Sequence, residues 1–125
     1  MIRILALAAF AVIAFASVGA AQAAPVDQNL AKRGKALFSN RGCGGCHTFG
    51  KKLAGPDLVG ATERRDDAWL RSWLKSPDTM LESDSTAKAM LAEFQNVKMP
   101  NMKLSDADVD ALVHYMRQES GKKKK

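Results

Sequence analysis

The sequence has little of what several common functions need. Its 125 residues hold two cysteines, two histidines, two tryptophans, one tyrosine and four prolines. A structural zinc site takes four protein ligands, mostly Cys and His, and two of each, with both cysteines in one short motif, do not suggest one. No stretch shows the period-two alternation of a half-buried strand. There is no internal repeat, no glycine-rich phosphate loop and no paired-carboxylate site. Basic residues are not interleaved with aromatic ones, which argues against a nucleic-acid partner.

The N-terminal stretch reads as a targeting segment. Arg3 precedes a nearly unbroken apolar run from Ile4 to Val18, and Ala21-Gln22-Ala23 fits a signal-peptidase site. Residues 1–23 are therefore expected to be a secretory signal peptide cleaved after Ala23, with periplasmic location, an uncleaved anchor being the alternative. The mature 102 residues (125 less 23) suffice for one small domain over 24–121. Formal charge is +6, and removing Arg3 with the signal leaves +5, a balance that suits acidic partners or surfaces. Residues 122–125 are four lysines, expected to be a disordered tail. That tail either has no role or aids docking to an acidic partner or a membrane surface.

Both cysteines fall in Cys43-Gly44-Gly45-Cys46-His47, and Cys-x-x-Cys-His is the attachment signature of c-type haem. Two thiols three residues apart lie on one side of a helical turn and can form thioethers to the two vinyl groups of one porphyrin. His47 is then held beneath the ring with an imidazole nitrogen toward the iron. A thioredoxin-like pair needs a surrounding βαβ pattern, which is absent. An exported chain could form a disulfide from these cysteines, but the adjacent His47 favours haem. The core of so small a domain is modest, so a large apolar cofactor at its centre should matter for stability.

The chain around the motif reads as helices. Asp27 can cap a first helix with Leu30, Gly34, Leu37 and Phe38 on one face, ended by Arg41-Gly42. Gly34 in mid-helix costs about 1 kcal/mol relative to Ala, a cost that a close helix crossing there would explain. Residues 48–62 read as a loop. Within it, the Pro56 carbonyl could accept a hydrogen bond from the unliganded nitrogen of His47, or Pro56 could simply mark a turn. Asp66 or Asp67 can cap a helix carrying Trp69, Leu70, Trp73 and Leu74, with Pro77 as its stop. Both tryptophans are expected as haem-wall and core residues, one indole N–H reaching a propionate. A short helix is expected within 83–96, with Ala87, Met90, Leu91 and Phe94 as its buried stripe. Ser105 and Asp108 make a near capping box for a last helix, with Val109, Leu112, Val113 and Met116 on its inner face and Gly121 closing it. His114 points to the polar side and is expected at the surface.

Iron held by His and Met is the electron-transfer pattern. Met99 and Met102 both lie on the turn-like segment 97–102, and Pro100 stiffens the backbone beside Met99. Met90 and Met116 fit helical core stripes.

Together these residues resemble a class I c-type cytochrome, over essentially the whole mature chain. The matching features are Gly34 and Phe38, Cys43 to His47, Gly55-Pro56-Asp57-Leu58, Met99-Pro100, and Leu112 with Tyr115. The resemblance implies an all-α cytochrome c fold of about four short helices around one covalent haem c. It implies that the Pro56 carbonyl orients His47, that Arg64 approaches a propionate, and that Met99 rather than Met102 is the second iron ligand. The tryptophan near a propionate is Trp69 or Trp73. The implied function is a monomeric one-electron carrier rather than an enzyme, shuttling between respiratory redox proteins with acidic docking surfaces. Lys51 and Lys52 could ring the haem edge and steer such partners. The alternatives are a dedicated haem subunit of a larger oxidoreductase complex and an open-site ligand-binding or catalytic haem protein.

Overall fold

Gly34 marks a very close helix crossing. A Cβ added there would stand 2.0 Å from the Ala111 carbonyl oxygen and 2.7 Å from Tyr115 Cβ, so two helix backbones meet with no side chain between them. The computed structural model describes residues 25–123. The expected signal segment, its cleavage site, and Lys124 and Lys125 lie outside the described residues.

The first helix, α1, spans Gln28–Asn40, and Asp27 caps it by accepting from the Asn29 and Leu30 amides. A 3-10 turn, Cys43–Gly45, carries the first half of the cysteine motif. Then come α2 (Ala61–Arg64), α3 (Asp67–Lys75), α4 (Pro77–Ser83), α5 (Ser85–Glu93) and α6 (Asp106–Lys123). No strand occurs among the described residues, and none of their helices is long and apolar enough to cross a membrane.

The helix crossing of α1 with α6 forms the spine. Ala31, Ala111 and Val113 are fully buried along it. Phe38, Phe49 and Tyr115 pack edge to face or tilted, with ring centroids 5.3–5.7 Å apart, tying the cysteine-motif region to the spine. Leu104, Val109, Leu112 and Val113 form one core cluster against Leu37 and Phe38, while Ala61, Leu70 and Met116 form a second. Ion pairs staple α3 to α6. Arg71 bridges Asp67 and Asp110 at 2.5 Å each, Arg117 also pairs with Asp67, and Lys75 meets Asp106 at 2.5 Å. The predicted box at the start of α6 is present: Ser105 Oγ accepts from the Asp108 amide, and the Asp108 carboxylate accepts from the Ser105 amide, both at 3.2 Å.

Among the described residues there are six α-helices where about four were expected. Pro77 stops α3 and also begins α4, because a first-turn position needs no N–H and suits proline's fixed φ. Four residues of the expected 48–62 loop region and its edge form α2, started by Gly60 at φ 72°. Gly121 does not close α6, which continues to Lys123, so the first two residues of the expected lysine tail are helical. In α5 only Ala87 is buried. Met90, Leu91 and Phe94 are half-buried and line a cavity instead of a closed core.

Candidate functional site

All nine residues singled out from the sequence converge on one cavity of about 560 Å³. Cys43, Cys46, His47, Pro56, Arg64, Trp69, Trp73, Met99 and Met102 each contribute to its lining. The cysteine motif and the loop after it, α3, α5 and residues 97–102 all contribute to its lining.

The His47 side is built from local backbone geometry. The Cys46 and His47 amides both donate to the Cys43 carbonyl, at 3.2 and 3.0 Å, which winds the motif into one turn. The Gly55 amide then donates to the Cys46 carbonyl at 2.9 Å, folding residues 47–55 back under the histidine. A Cβ on Gly55 would fall 2.4 Å from His47 Cε1, so the imidazole rests directly on bare backbone. His47 Nδ1 lies 3.0 Å from the Pro56 carbonyl oxygen. A carbonyl only accepts, so Nδ1 carries the proton and Nε2 keeps its lone pair for a metal. Burial pushes the Cys43 thiol above its usual value, and neither cysteine is in a disulfide.

Met99 and Met102, both in the cavity lining, differ in attachment. Met102 packs against the Leu104–Val113 cluster, and its carbonyl accepts from Arg41 at 3.4 Å. Met99 is half-buried and faces the cavity without joining either core cluster. Trp69 and Trp73 stack with centroids 5.6 Å apart and planes 10° from parallel, forming an aromatic wall.

Arg64 lines the cavity and is at the same time tied to the backbone. Its two terminal nitrogens donate to the backbone carbonyls of Val59 (2.5 Å) and Asp57 (2.8 Å). Its neighbour Arg65, not singled out from the sequence, stacks its guanidinium over Trp69 at 5.4 Å. Arg65 Nε and Trp69 Nε1 are buried without a hydrogen-bond partner. The Asp84 carboxylate stands near that indole without closing a bond to it. The only sequence cue to Arg65 was its place in an arginine pair just before the Asp66 cap. His114 takes no part: its Nδ1 accepts from the Asp27 amide at 2.9 Å, at the start of α1. Lys52 pairs with Glu93 and lies 5.4 Å over the Phe94 ring, so its charge is spent across the cavity mouth.

The donor set decides what fits. Among the described residues no group of three or more His, Cys, Asp or Glu could hold a bare metal ion. Two thiols on one turn, an imidazole with a free Nε2, a thioether in the same lining and an aromatic wall suit a covalently held haem, and the two unpartnered buried donors suit its polar edge.

A family model described as cytochrome c matches residues 31–120. Among solved structures, the chain is similar to a cytochrome c from Rhodothermus marinus at 27% identity and a TM-score of 0.74, covering 82% of this chain and 87% of that one. An engineered cytochrome c from the same organism, bound to a carbene intermediate, matches at 26% identity and a TM-score of 0.70 over the same shares. No curated protein sequence matches.

Proposed function

The chain belongs to the cytochrome c family and is a class I, haem-based electron-transfer protein with one covalent haem c, and from that premise we propose that it is an exported one-electron carrier with His47 and Met99 as axial ligands. When bound, the haem supplies reversible one-electron redox chemistry at its iron.

The chain's own residues do the rest. Cys43 and Cys46 hold the group by thioethers. His47 is oriented by the Pro56 carbonyl and the floor at Gly55. Met99 closes the other face, and a thioether ligand favours the reduced state. Leu70, Leu112 and Met116, all buried, keep water from the inner wall. The observation that carries the reading is His47 Nδ1 on the Pro56 carbonyl, which leaves Nε2 for iron within a cavity that Met99 also lines. The apolar run and Ala21-Gln22-Ala23 support export to the periplasm, where the partners would be redox proteins presenting acidic surfaces.

Optical spectra of the loaded protein, oxidised and reduced, with and without carbon monoxide, test this. The expected result is a low-spin site that responds little to carbon monoxide. The weak ferric band of a Met–iron bond should vanish in Met99→Ala and persist in Met102→Ala. A high-spin spectrum with rapid carbon monoxide binding in the unaltered protein would sink the carrier reading. N-terminal sequencing of exported protein should begin at Ala24.

A further inference from the structure

The two histidines make opposite use of Nδ1. In His47 it donates to the Pro56 carbonyl, whereas in His114 it accepts from the Asp27 amide at 2.9 Å. An amide only donates, so the His114 ring is neutral in this bond and carries its proton on Nε2. The contact falls at the start of α1, where a helix leaves its amides without intrahelical partners. The Asp27 carboxylate serves the Asn29 and Leu30 amides. The Asp27 amide itself takes its acceptor from α6. One turn along α6, Gln118 Nε2 donates to Gln28 Oε1 at 2.6 Å. The start of α1 is thus pinned to α6 by one bond that titrates and one that does not.

Among the described residues, three elements bring charge to the His114 ring. On α1, Asp27 turns its carboxylate to its own helix. On α6, Asp110 and Arg117 stand about one turn to either side. On α3, the Asp67 carboxylate is close enough to feel a charge on the ring. Arg71 is bonded to both Asp67 and Asp110, and Arg117 pairs with Asp67.

We propose that His114 is a pH-sensitive clip for the N-terminal end of the domain: the neutral ring holds the first turn of α1 against α6, and protonation of the ring releases it. An imidazolium has only N–H donors, so Nδ1 would meet the Asp27 amide hydrogen with a hydrogen of its own. Its charge would also stand at the positive end of the α1 dipole. Histidine changes charge between about pH 5 and 8, so the clip is closed where the ring is neutral and is lost as pH falls. Release should end before Ala31 and Gly34, which are buried in the crossing with α6. His114 does not line the cavity, so the inference stands apart from the reading of the iron ligands.

The test uses haem-loaded protein as the unaltered chain, His114→Asn and His114→Ala. Asparagine places a carbonyl oxygen close to where Nδ1 stands and does not titrate, and alanine removes the acceptor. Protection of the amides of residues 27–30 is read by hydrogen exchange at about pH 7.5 and about pH 5, corrected for intrinsic exchange. In the unaltered chain it should fall roughly tenfold or more between the two. His114→Asn should keep the higher protection at both, and His114→Ala the lower. The start of α5, where Asp84 caps the Ala87 amide at 2.7 Å without an imidazole, should not change over that range. The proposal is overturned if the unaltered chain keeps its protection in acid, if His114→Asn shows the same step, or if the start of α5 loses protection in parallel. Should His114→Asn fail to fold, NMR of the unaltered chain decides. The His114 ring and the Asp27 amide must then titrate at one midpoint, and separate midpoints overturn the proposal.

Discussion

The two sides of the cavity are held in different ways. On the His47 side, amides, carbonyls, Asp57, Arg64 and Ser120 interlock around one ring, and Gly55 supplies a bare floor. On the Met99 side the segment is suspended between residues in the left-handed region, Gln95 (φ 55°), Asn96 (φ 62°) and Lys103 (φ 52°). No hydrogen bond among the described residues reaches the Met99 backbone. Anchorage comes from outside it, through Asn101 to Asp78 at 3.1 Å and Met102 against the core. The proposed ligand His47 is preorganised by the chain, and Met99, proposed as the other, is presented on a segment that iron ligation would complete.

The largest effect expected from that contrast follows loss of covalent attachment. In Cys43→Ala/Cys46→Ala, amides of residues 94–103 should exchange with solvent at least tenfold faster, whereas those along the α1–α6 crossing remain the slowest in the molecule. Equal acceleration on both sides, read by hydrogen exchange, would erase the asymmetry. Single substitutions should divide the same way. Gly55→Ala drives a methyl into the His47 ring and should cost about 1–3 kcal/mol or more, together with the low-spin spectrum. Pro100→Ala, on the looser side, should cost no more than about 1 kcal/mol, acting mainly through the unfolded chain. Denaturant midpoints and optical spectra of the two variants check both statements.

A smaller effect, of opposite sign, is expected from relieving the Met99 side. Gln95→Gly and Lys103→Gly each place glycine at a positive φ, where a side chain is disfavoured. The gain should be about 0.5–1 kcal/mol, since glycine also frees the unfolded chain. A loss of stability in both variants would show that those side chains hold the segment in place.

Much of this arrangement was readable before any coordinates, and the reasons are physical. Helices α1, α3 and α6 each combine a capping residue with an apolar face of helical period, and the cysteine motif is marked by its own spacing, so local signals agree. Helix α2, at four residues, is too short to show a period. Helix α4 was hidden because proline is both a stop and a favoured start. The nine site residues all reach the cavity, but the direction in which Arg64 and Arg65 turn depends on carbonyls and rings that no spacing encodes. Pairings such as Asp27 with His114, 87 residues apart, or Gly60 with Ser120, 60 apart, leave no local trace. Ser120 did leave one cue: it continues the buried face of α6 one turn beyond Met116, and a polar residue on an apolar face calls for a partner.

The smallest effect concerns acid, and it tests whether the two sides share a common frame. Asp67 is held below the usual carboxylate range by its hydrogen bond from Arg71, with the Arg117 guanidinium adding positive field. Asp108 is lowered by the Ser105 hydroxyl and amide, Asp106 by Lys75, and Asp84 by the Ala87 amide at the start of α5. A carboxyl whose folded pKa is depressed stabilises the fold fully above its unfolded value, near 3.9, and that contribution is lost as pH falls through the lower folded value. Thermal stability should therefore be flat with respect to these groups above about pH 5 and fall below about pH 4. Asp67→Asn should flatten part of that fall, by no more than about 1 kcal/mol because its pairs are largely exposed, and by less in high salt. Asp84 caps the helix that leads into the Met99 segment, whereas Asp67, Asp106 and Asp108 act along α3 and α6, so protonation of Asp84 should loosen residues 94–103 at low pH ahead of the spine, and Asp84→Asn, which still caps but does not titrate, should remove that acid step. Hydrogen exchange near pH 4 reads this in the unaltered chain and in Asp84→Asn, and a spine that opened together with residues 94–103 in the unaltered chain would mean that the two sides melt as one unit.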